Sequence, residues 1–186
     1  MVEIGERLTL EEFLALPEEE PALEYEDGVI TQKPMPKRVH SRLQFVLARL
    51  FDRFGEAERL YLVFTELRFT LGARSYVPDL AVYLWDRIPV DDKGELFNDA
   101  PEPPDVAVEI VSPEQSVTAL IRKCLWYVEN GVKAALIVDP MDRTVLLFRA
   151  GLPYRAHQGD EAIDLSDVLP EFRTTPAQIF GTLRVR

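Results

Sequence analysis

Two acidic residues, thirty positions apart, lie inside short apolar segments of this chain. Asp79 belongs to residues 76–82 and Glu109 to residues 105–111. Both segments are rich in β-branched residues, which predicts buried strands. Carboxylates are seldom found in such strands, because an unpaired charge in an apolar interior is costly. Neighbouring strands lie about 4.8 Å apart, so the two carboxylates could share one divalent cation.

The residues around the two acids leave room for a cation and its waters. Side chains alternate along a strand, so Ala81 shares a face with Asp79 and Ala107 shares one with Glu109. Lys123 follows on a predicted helix. Mg²⁺ or Mn²⁺ between two carboxylates orients a phosphate and activates a bound water, and a lysine nearby stabilises the developing charge. This set of groups predicts phosphodiester hydrolysis.

Each of the three residues also has a structural interpretation. Asp79 follows Pro78 and could cap a turn at the start of its strand. Glu109 could form a structural salt bridge, for example with Arg68 on the preceding strand. Lys123 lies at the margin of the apolar stripe of its helix and could be a surface lysine. Spacing alone leaves both interpretations open.

The bulk properties predict one ordinary domain. The chain has 186 residues, of which 47% are hydrophobic and 28% charged, which suits one sizeable core spanning residues 1–186. We expect an N-terminal helix and hairpin, at about residues 9–36, to pack on this core. No segment approaches the roughly 18 apolar residues of a membrane span, and the N-terminus is unlike a signal peptide. A single cysteine and two histidines nearly exclude a Cys/His zinc site, and a reducing cytoplasm is the expected compartment.

The net charge of −11 opposes binding to nucleic acid. The basic residues are unevenly distributed, however, because four arginines recur at intervals of four, seven and four: Arg38, Arg42, Arg49 and Arg53. On a helix these arginines form one stripe. The stripe is either a solvated helix face or a surface that follows a phosphate backbone.

The order of the predicted elements indicates a mixed α/β fold. Thr9 and Glu12 form a capping box that opens a short helix, and Asp27-Gly28 predicts a hairpin turn. The remaining predictions are helices over residues 39–54 and 114–130 and strands over residues 61–71, 77–84, 106–111, 135–138 and 144–149. Gly131 takes the usual position after a helix. A mixed central sheet flanked by helices accounts for this order.

The motifs along the chain resemble those of the Uma-type family of restriction-endonuclease-like proteins, in the PD-(D/E)XK superfamily. The resemblance rests on an ordered series that covers most of the chain: residues 9–14, 24–28, 35–36, His40, 78–79, 109–113, Lys123, Tyr127, 131–132 and 137–140. It implies a restriction-endonuclease-like core, Asp79 and Glu109 as ligands of Mg²⁺ or Mn²⁺, and a lysine that completes the site. The usual lysine position, two residues after the glutamate, holds Val111, and the branch displaces that lysine to Lys123.

The resemblance also implies roles for two further residues. Glu24 would hold a metal-bound water, and His40 would act as a base or a phosphate contact. As bare residues, a hairpin glutamate and a histidine near a helix start are more often structural. The chain departs from many relatives at Ala119, where they carry an acid four residues before the helix lysine.

Three functions stay open at this point. The first is a metal-dependent endodeoxyribonuclease with Asp79, Glu109 and Lys123 at its centre. The second is a catalytically silent nuclease fold that binds DNA or a protein, which Ala119 and the surplus of acids favour. The third is a role in oligomerisation, indicated by Trp126 on the polar side of its predicted helix, unless that ring packs on a neighbouring loop.

Overall fold

The computed structural model describes residues 7–97, 102–113 and 115–186. The helices in this part of the chain are α1 (Leu10–Leu14), α2 (Arg38–Gly55), α3 (Val117–Glu129) and α4 (Pro176–Gly181). The first six strands are β1 (Leu23–Glu26), β2 (Val29–Gln32), β3 (Tyr61–Thr65), β4 (Phe69–Leu71), β5 (Arg74–Tyr76) and β6 (Leu80–Leu84). The other six are β7 (Val106–Ile110), β8 (Ala134–Asp139), β9 (Thr144–Phe148), β10 (Arg155–Gln158), β11 (Ile163–Asp164) and β12 (Arg173–Thr174).

A six-stranded mixed sheet lies at the centre, with the order β10-β9-β8-β7-β6-β3. Strands β7 and β8 are parallel, and α3 is the connection between them. The other pairs in this sheet are antiparallel. The fold class expected from the sequence, a mixed sheet flanked by helices, is confirmed.

The two long helices cover opposite faces of the central sheet. Leu43, Leu47 and Phe51 of α2 join a core cluster with Leu80 and Val108 of the sheet. On the other face, Cys124 and Tyr127 of α3 pack with Ala107, Ala135 and Ile137. Because successive side chains of a strand point to opposite faces, Ala107 and Val108 belong to different clusters. Glu109 therefore shares the face that α3 covers.

The N-terminal elements form as the local sequence predicts. Thr9 accepts a bond from the Glu12 N–H while the Glu12 side chain binds the Thr9 N–H, which completes the capping box. Strands β1 and β2 form an antiparallel hairpin. Its turn residues Asp27 and Gly28 have φ of 49° and 96°, a left-handed conformation that glycine and aspartate tolerate.

The expected single strand over residues 61–71 is wrong. Glu66 has a φ of 52°, which turns the chain out of the central sheet after Thr65, so that β4 pairs with β5 instead. A second sheet results, with the order β2-β1-β5-β4. The strand expected to begin at Val77 begins at Leu80, because Val77 and Pro78 connect the two sheets and Pro78 has no N–H to donate.

The third helix ends as expected, with Gly131 at a φ of 103° just beyond it. Ser116 caps its first turn by accepting a bond from the Ala119 N–H. Glu114, where the sequence predicts that this helix begins, lies outside the described residues.

No described helix combines the length and hydrophobicity needed to cross a bilayer.

Candidate functional site

The two acids singled out in the sequence face each other across neighbouring central strands. Asp79 directly precedes β6, and Glu109 lies in β7. The antiparallel register pairs Leu80 with Val108, so continuing it by one residue places Asp79 opposite Glu109. Both side chains are almost completely buried. The expected juxtaposition of the two carboxylates is present.

Lys33, which the sequence analysis did not single out, binds the first acid. Its Nζ lies 2.7 Å from Asp79 Oδ1 and 2.8 Å from Glu66 Oε2, and it donates to the Val77 carbonyl at 2.9 Å. Only 9% of the Lys33 side-chain surface is exposed. The three ammonium protons therefore have three oxygen acceptors.

Helix α2 brings His40 and Gln44 to the same acid. His40 Nε2 lies 3.1 Å from Asp79 Oδ2, and that oxygen also accepts a 2.6 Å bond from the Ile110 N–H. Gln44 Nε2 donates to Glu66 Oε1 and to the Asp79 carbonyl. Both Asp79 oxygens are therefore engaged, and Glu66 belongs to the same cluster.

A second cluster forms around Glu109. Lys123 Nζ lies 2.8 Å from Glu109 Oε1 and 2.7 Å from Glu24 Oε1, and the Tyr127 hydroxyl donates to Glu109 Oε1 at 2.7 Å. The Val77 N–H also donates to Glu24 at 2.9 Å. The five site residues expected from the sequence, Asp79, Glu109, Lys123, Glu24 and His40, thus meet in one region.

The orientation of α3 explains why Lys123 points inward. Its buried residues are Leu120, Cys124, Tyr127 and Val128, whereas Val117 and Ile121 are only partly buried. The face of α3 that points into the protein is therefore the one with Leu120 and Tyr127, and Lys123 lies on that same side of the helix. Only 10% of the Lys123 side chain is exposed, so the surface-lysine alternative does not describe this residue.

Electrostatics sets the two acids apart. Burial favours the neutral form of Asp79, but the hydrogen bond with His40 and the charge of Lys33 outweigh it and hold the pKa of Asp79 well below its ordinary value. Burial raises the pKa of Glu109 to about 7, although Lys123 opposes this and the charge of Asp79 adds to it. Asp79 is therefore ionised at neutral pH, while Glu109 titrates there.

The two lysines remain charged despite their burial. Desolvation favours the neutral amine, yet the pKa of Lys33 is raised by Asp79, Glu109 and Glu66. The pKa of Lys123 is raised by Glu109 and Glu24 for the same reason. Two fixed positive charges thus lie beside the opposed carboxylates.

The donor set suits a cation that keeps part of its water shell. Tyr127 and Lys123 both reach Oε1 of Glu109, so Oε2 is the oxygen that these two groups leave for a cation. Within the described ranges, no group of three His, Cys, Asp or Glu side chains is placed to hold a metal ion. Mg²⁺ is commonly held by one or two carboxylates, with waters and substrate phosphates in its other positions. Asp79 and Glu109 fit that pattern.

Two openings give access to this region. One, of about 200 Å³, is lined by His40, Gln44, Glu66 and Asp79. The other, of about 370 Å³, is lined by Glu24, Lys123 and Ala119. Lys33, Pro34 and Gln115 line both openings and separate them.

Arg68 and Trp126 make contacts other than those considered from the sequence, and the salt bridge of Glu109 is with Lys123. Arg68 contacts Ser75 and Glu18 rather than Glu109. Trp126 is partly buried, with its ring centroid 5.2 Å from that of Tyr76 and 5.3 Å from the guanidinium of Arg74. The Trp126 ring therefore packs on β5, which removes the feature that indicated oligomerisation.

The arginine stripe forms as expected. Arg38, Arg42, Arg49 and Arg53 are all exposed on α2. Phe45, which is 54% exposed, lies between two of them, with the guanidinium carbons of Arg42 and Arg49 at 5.8 Å and 5.6 Å from its ring centroid. This face is opposite to the side of α2 that carries His40 and Leu43.

Comparison with known proteins assigns this chain to a family. The sequence model of the Uma2 family, described as "Putative restriction endonuclease", matches residues 10–178. A crystal structure of a putative nuclease belonging to DUF820, from Anabaena variabilis, superposes with a TM-score of 0.91 at 35% identity. That match covers 95% of this chain and 99% of the other. A comparison with curated proteins finds no match.

The architecture, a mixed central sheet flanked by helices, is that of the restriction-endonuclease-like nucleases. Within that class, this chain belongs to the Uma2 family. The family resemblance inferred from the sequence motifs is confirmed.

Proposed function

We propose that this protein is a metal-dependent endodeoxyribonuclease that hydrolyses phosphodiester bonds. One observation carries the proposal: two opposed, buried carboxylates each lie within 3 Å of their own lysine, and Asp79 and both lysines line openings to solvent. Burying four charges is costly, and a hydrophobic set of similar volume is often at least as stable. Perturbed, clustered titratable groups of this kind are typical of functional sites.

In the proposed site, Asp79 and Glu109 hold Mg²⁺ or Mn²⁺. The ion supplies charge neutralisation at the phosphate and a water of lowered pKa. Asp79 is kept ionised and oriented by His40, Lys33 and the Ile110 N–H. Lys123 orients the attacking water and stabilises the negative charge that develops on phosphorus.

Glu24 and His40 act around this centre. Glu24 binds Lys123 at 2.7 Å, which fixes the ammonium group and leaves its other carboxylate oxygen for a metal-bound water. His40 faces the opening that contains Asp79 and contacts a phosphate or accepts a proton there. The exposed arginines of α2 supply a basic face on a strongly acidic chain, which suits a nucleic-acid substrate.

A second candidate function is a silent nuclease fold that only binds DNA or a protein. Ala119 favours it, because this exposed residue lines the opening beside Lys123 where many relatives carry an acid. The full engagement of both Asp79 oxygens favours it as well. The retention of both carboxylates and Lys123 favours the enzyme.

Incubation of supercoiled plasmid with the protein tests the proposal. We expect nicked and linear products with Mg²⁺ or Mn²⁺ and none with EDTA or with Glu109→Gln. Lys133→Met is a matched control, because Lys133 binds the buried Asp105 outside the site. Plasmid that is bound but uncleaved under every metal condition would support the silent fold.

A further inference from the structure

Lys33 is a nearly buried lysine that the sequence analysis did not single out, with only 9% of its side-chain surface exposed. Its three contacts, to Asp79, Glu66 and the Val77 carbonyl, are all between 2.7 and 2.9 Å. One partner, Glu66, has the φ of 52° that ends β3. A left-handed conformation at a residue other than glycine is uncommon and often marks a functional position.

The three oxygens around Lys33 are also the ligands that a divalent cation takes. Two carboxylates and one main-chain carbonyl form an all-oxygen set typical of hard cations. They include Oδ1 of Asp79, whereas the Ile110 N–H and His40 bind Oδ2. Nucleases with two metal ions place them on either side of such a shared carboxylate, about 4 Å apart.

The local charge matches one divalent ion. Glu24, Glu66, Asp79 and Glu109 supply four negative charges when ionised, and Lys33 and Lys123 supply two positive ones. Two negative charges remain, which a single divalent cation neutralises. A second metal ion would leave the site strongly positive unless it replaced a lysine.

We propose that the ammonium group of Lys33 is a resident cation that fills the second cation position of this site. Asp79 then has two partners. Together with Glu109 it holds the metal ion, and together with Glu66 it holds the ammonium group of Lys33. This inference rests on the proposed function. It predicts that the protein binds one metal ion because its own lysine occupies the place of the other.

The number of bound Mn²⁺ ions tests the proposal without reference to catalysis. We would titrate Mn²⁺ into the wild type, Lys33→Ala and Lys33→Ala/Glu66→Gln, and measure free Mn²⁺ by electron paramagnetic resonance. We expect one ion in the wild type, two in Lys33→Ala, and one again in the double variant. Lys133→Ala, which removes a lysine from the buried Asp105, should still bind one.

A folded Lys33→Ala that binds the same number of ions as the wild type, with the same affinity, would overturn the proposal. If Lys33→Ala does not fold alone, we expect Mn²⁺ to restore its circular dichroism spectrum, and failure to do so at millimolar Mn²⁺ would also overturn it. The proposed nuclease function fails separately. It would be rejected if the wild type bound no Mn²⁺. If Lys33→Ala then bound one ion through Glu66, the proposal that Lys33 occupies a cation position would still stand.

Discussion

Asp79 accepts a 2.6 Å hydrogen bond from the main-chain N–H of Ile110, the residue that follows Glu109. The first carboxylate is thereby fixed to the strand that carries the second. This bond takes the place of a further rung in the ladder between β6 and β7 at the point where Pro78 ends regular pairing. The separation of the two acids is therefore set by the sheet rather than by flexible side chains.

The first prediction concerns the stability of variants at Asp79. Asp79→Ala leaves Lys33 buried with Glu66 as its remaining carboxylate partner and leaves the Ile110 N–H without an acceptor. We expect a loss of about 3–5 kcal/mol in the free energy of unfolding. Asp79→Asn keeps an oxygen for Ile110 and should lose less. Urea unfolding of the metal-free proteins measures both values, and equal losses would contradict this account of the bond.

The second prediction concerns Lys123. Lys123→Met keeps both carboxylates but removes the ammonium group that binds Glu24 and Glu109. We expect Mn²⁺ binding to persist and cleavage to fall by about 100-fold or more, because a preorganised charge at the reacting phosphate is lost. Lys133→Met is the control for loss of a lysine beside a buried acid. Wild-type cleavage by Lys123→Met would restrict this lysine to a structural role.

The first three helices, the hairpin, the mixed sheet and the opposition of Asp79 and Glu109 could be predicted, because periodicity and turn residues are local signals; the short helix α4 has no strong period and was not predicted. Lys33 could not be predicted either. It lies in a polar segment before Pro34, and its contact with Asp79 spans 46 residues. The sequence predicts that Glu66 lies in the interior of a strand, because nothing in its neighbourhood indicates a left-handed φ.

Only the structure shows which residues of the family motifs belong to the site and which have structural roles. Asp139 belongs to the motif at residues 137–140, and in the structure it accepts bonds from the Met141 and Asp142 N–H groups and caps a turn. Tyr127 resembles a core aromatic, and it does pack with Phe69 and Tyr76, but its hydroxyl binds Glu109. A single sequence does not separate these roles, because both kinds of residue are buried.

The third prediction concerns pH and Glu109. Its pKa is raised from 4.5 to about 7 in the folded protein, so it contributes stability that is fully present below 4.5 and is lost as the pH rises through 7. This pKa shift corresponds to about 3 kcal/mol in the free energy of unfolding. In the absence of metal, the wild type should lose stability relative to Glu109→Gln between about pH 5 and pH 8. Urea unfolding at the two pH values measures this, and a constant difference between the proteins would refute it.

The fourth prediction concerns the basic face of α2. If Arg42 and Arg49 contact phosphates, the double variant Arg42→Gln/Arg49→Gln should bind duplex DNA more weakly. The slope of log K against log salt should also become shallower by about 2. Arg155→Gln/Arg186→Gln makes the same charge change at exposed positions outside α2. Equal effects of the two double variants would identify the stripe as a solvated helix face.

The central claim is that Asp79 and Glu109 together hold a divalent cation, and calorimetric titration of Mn²⁺ tests it most directly. Asp79→Asn is the variant to compare, because it keeps the shape of the side chain and an acceptor for Ile110. We predict binding heats for the wild type that disappear in Asp79→Asn and in Glu109→Gln. Equal binding by the wild type and Asp79→Asn would contradict the site described here.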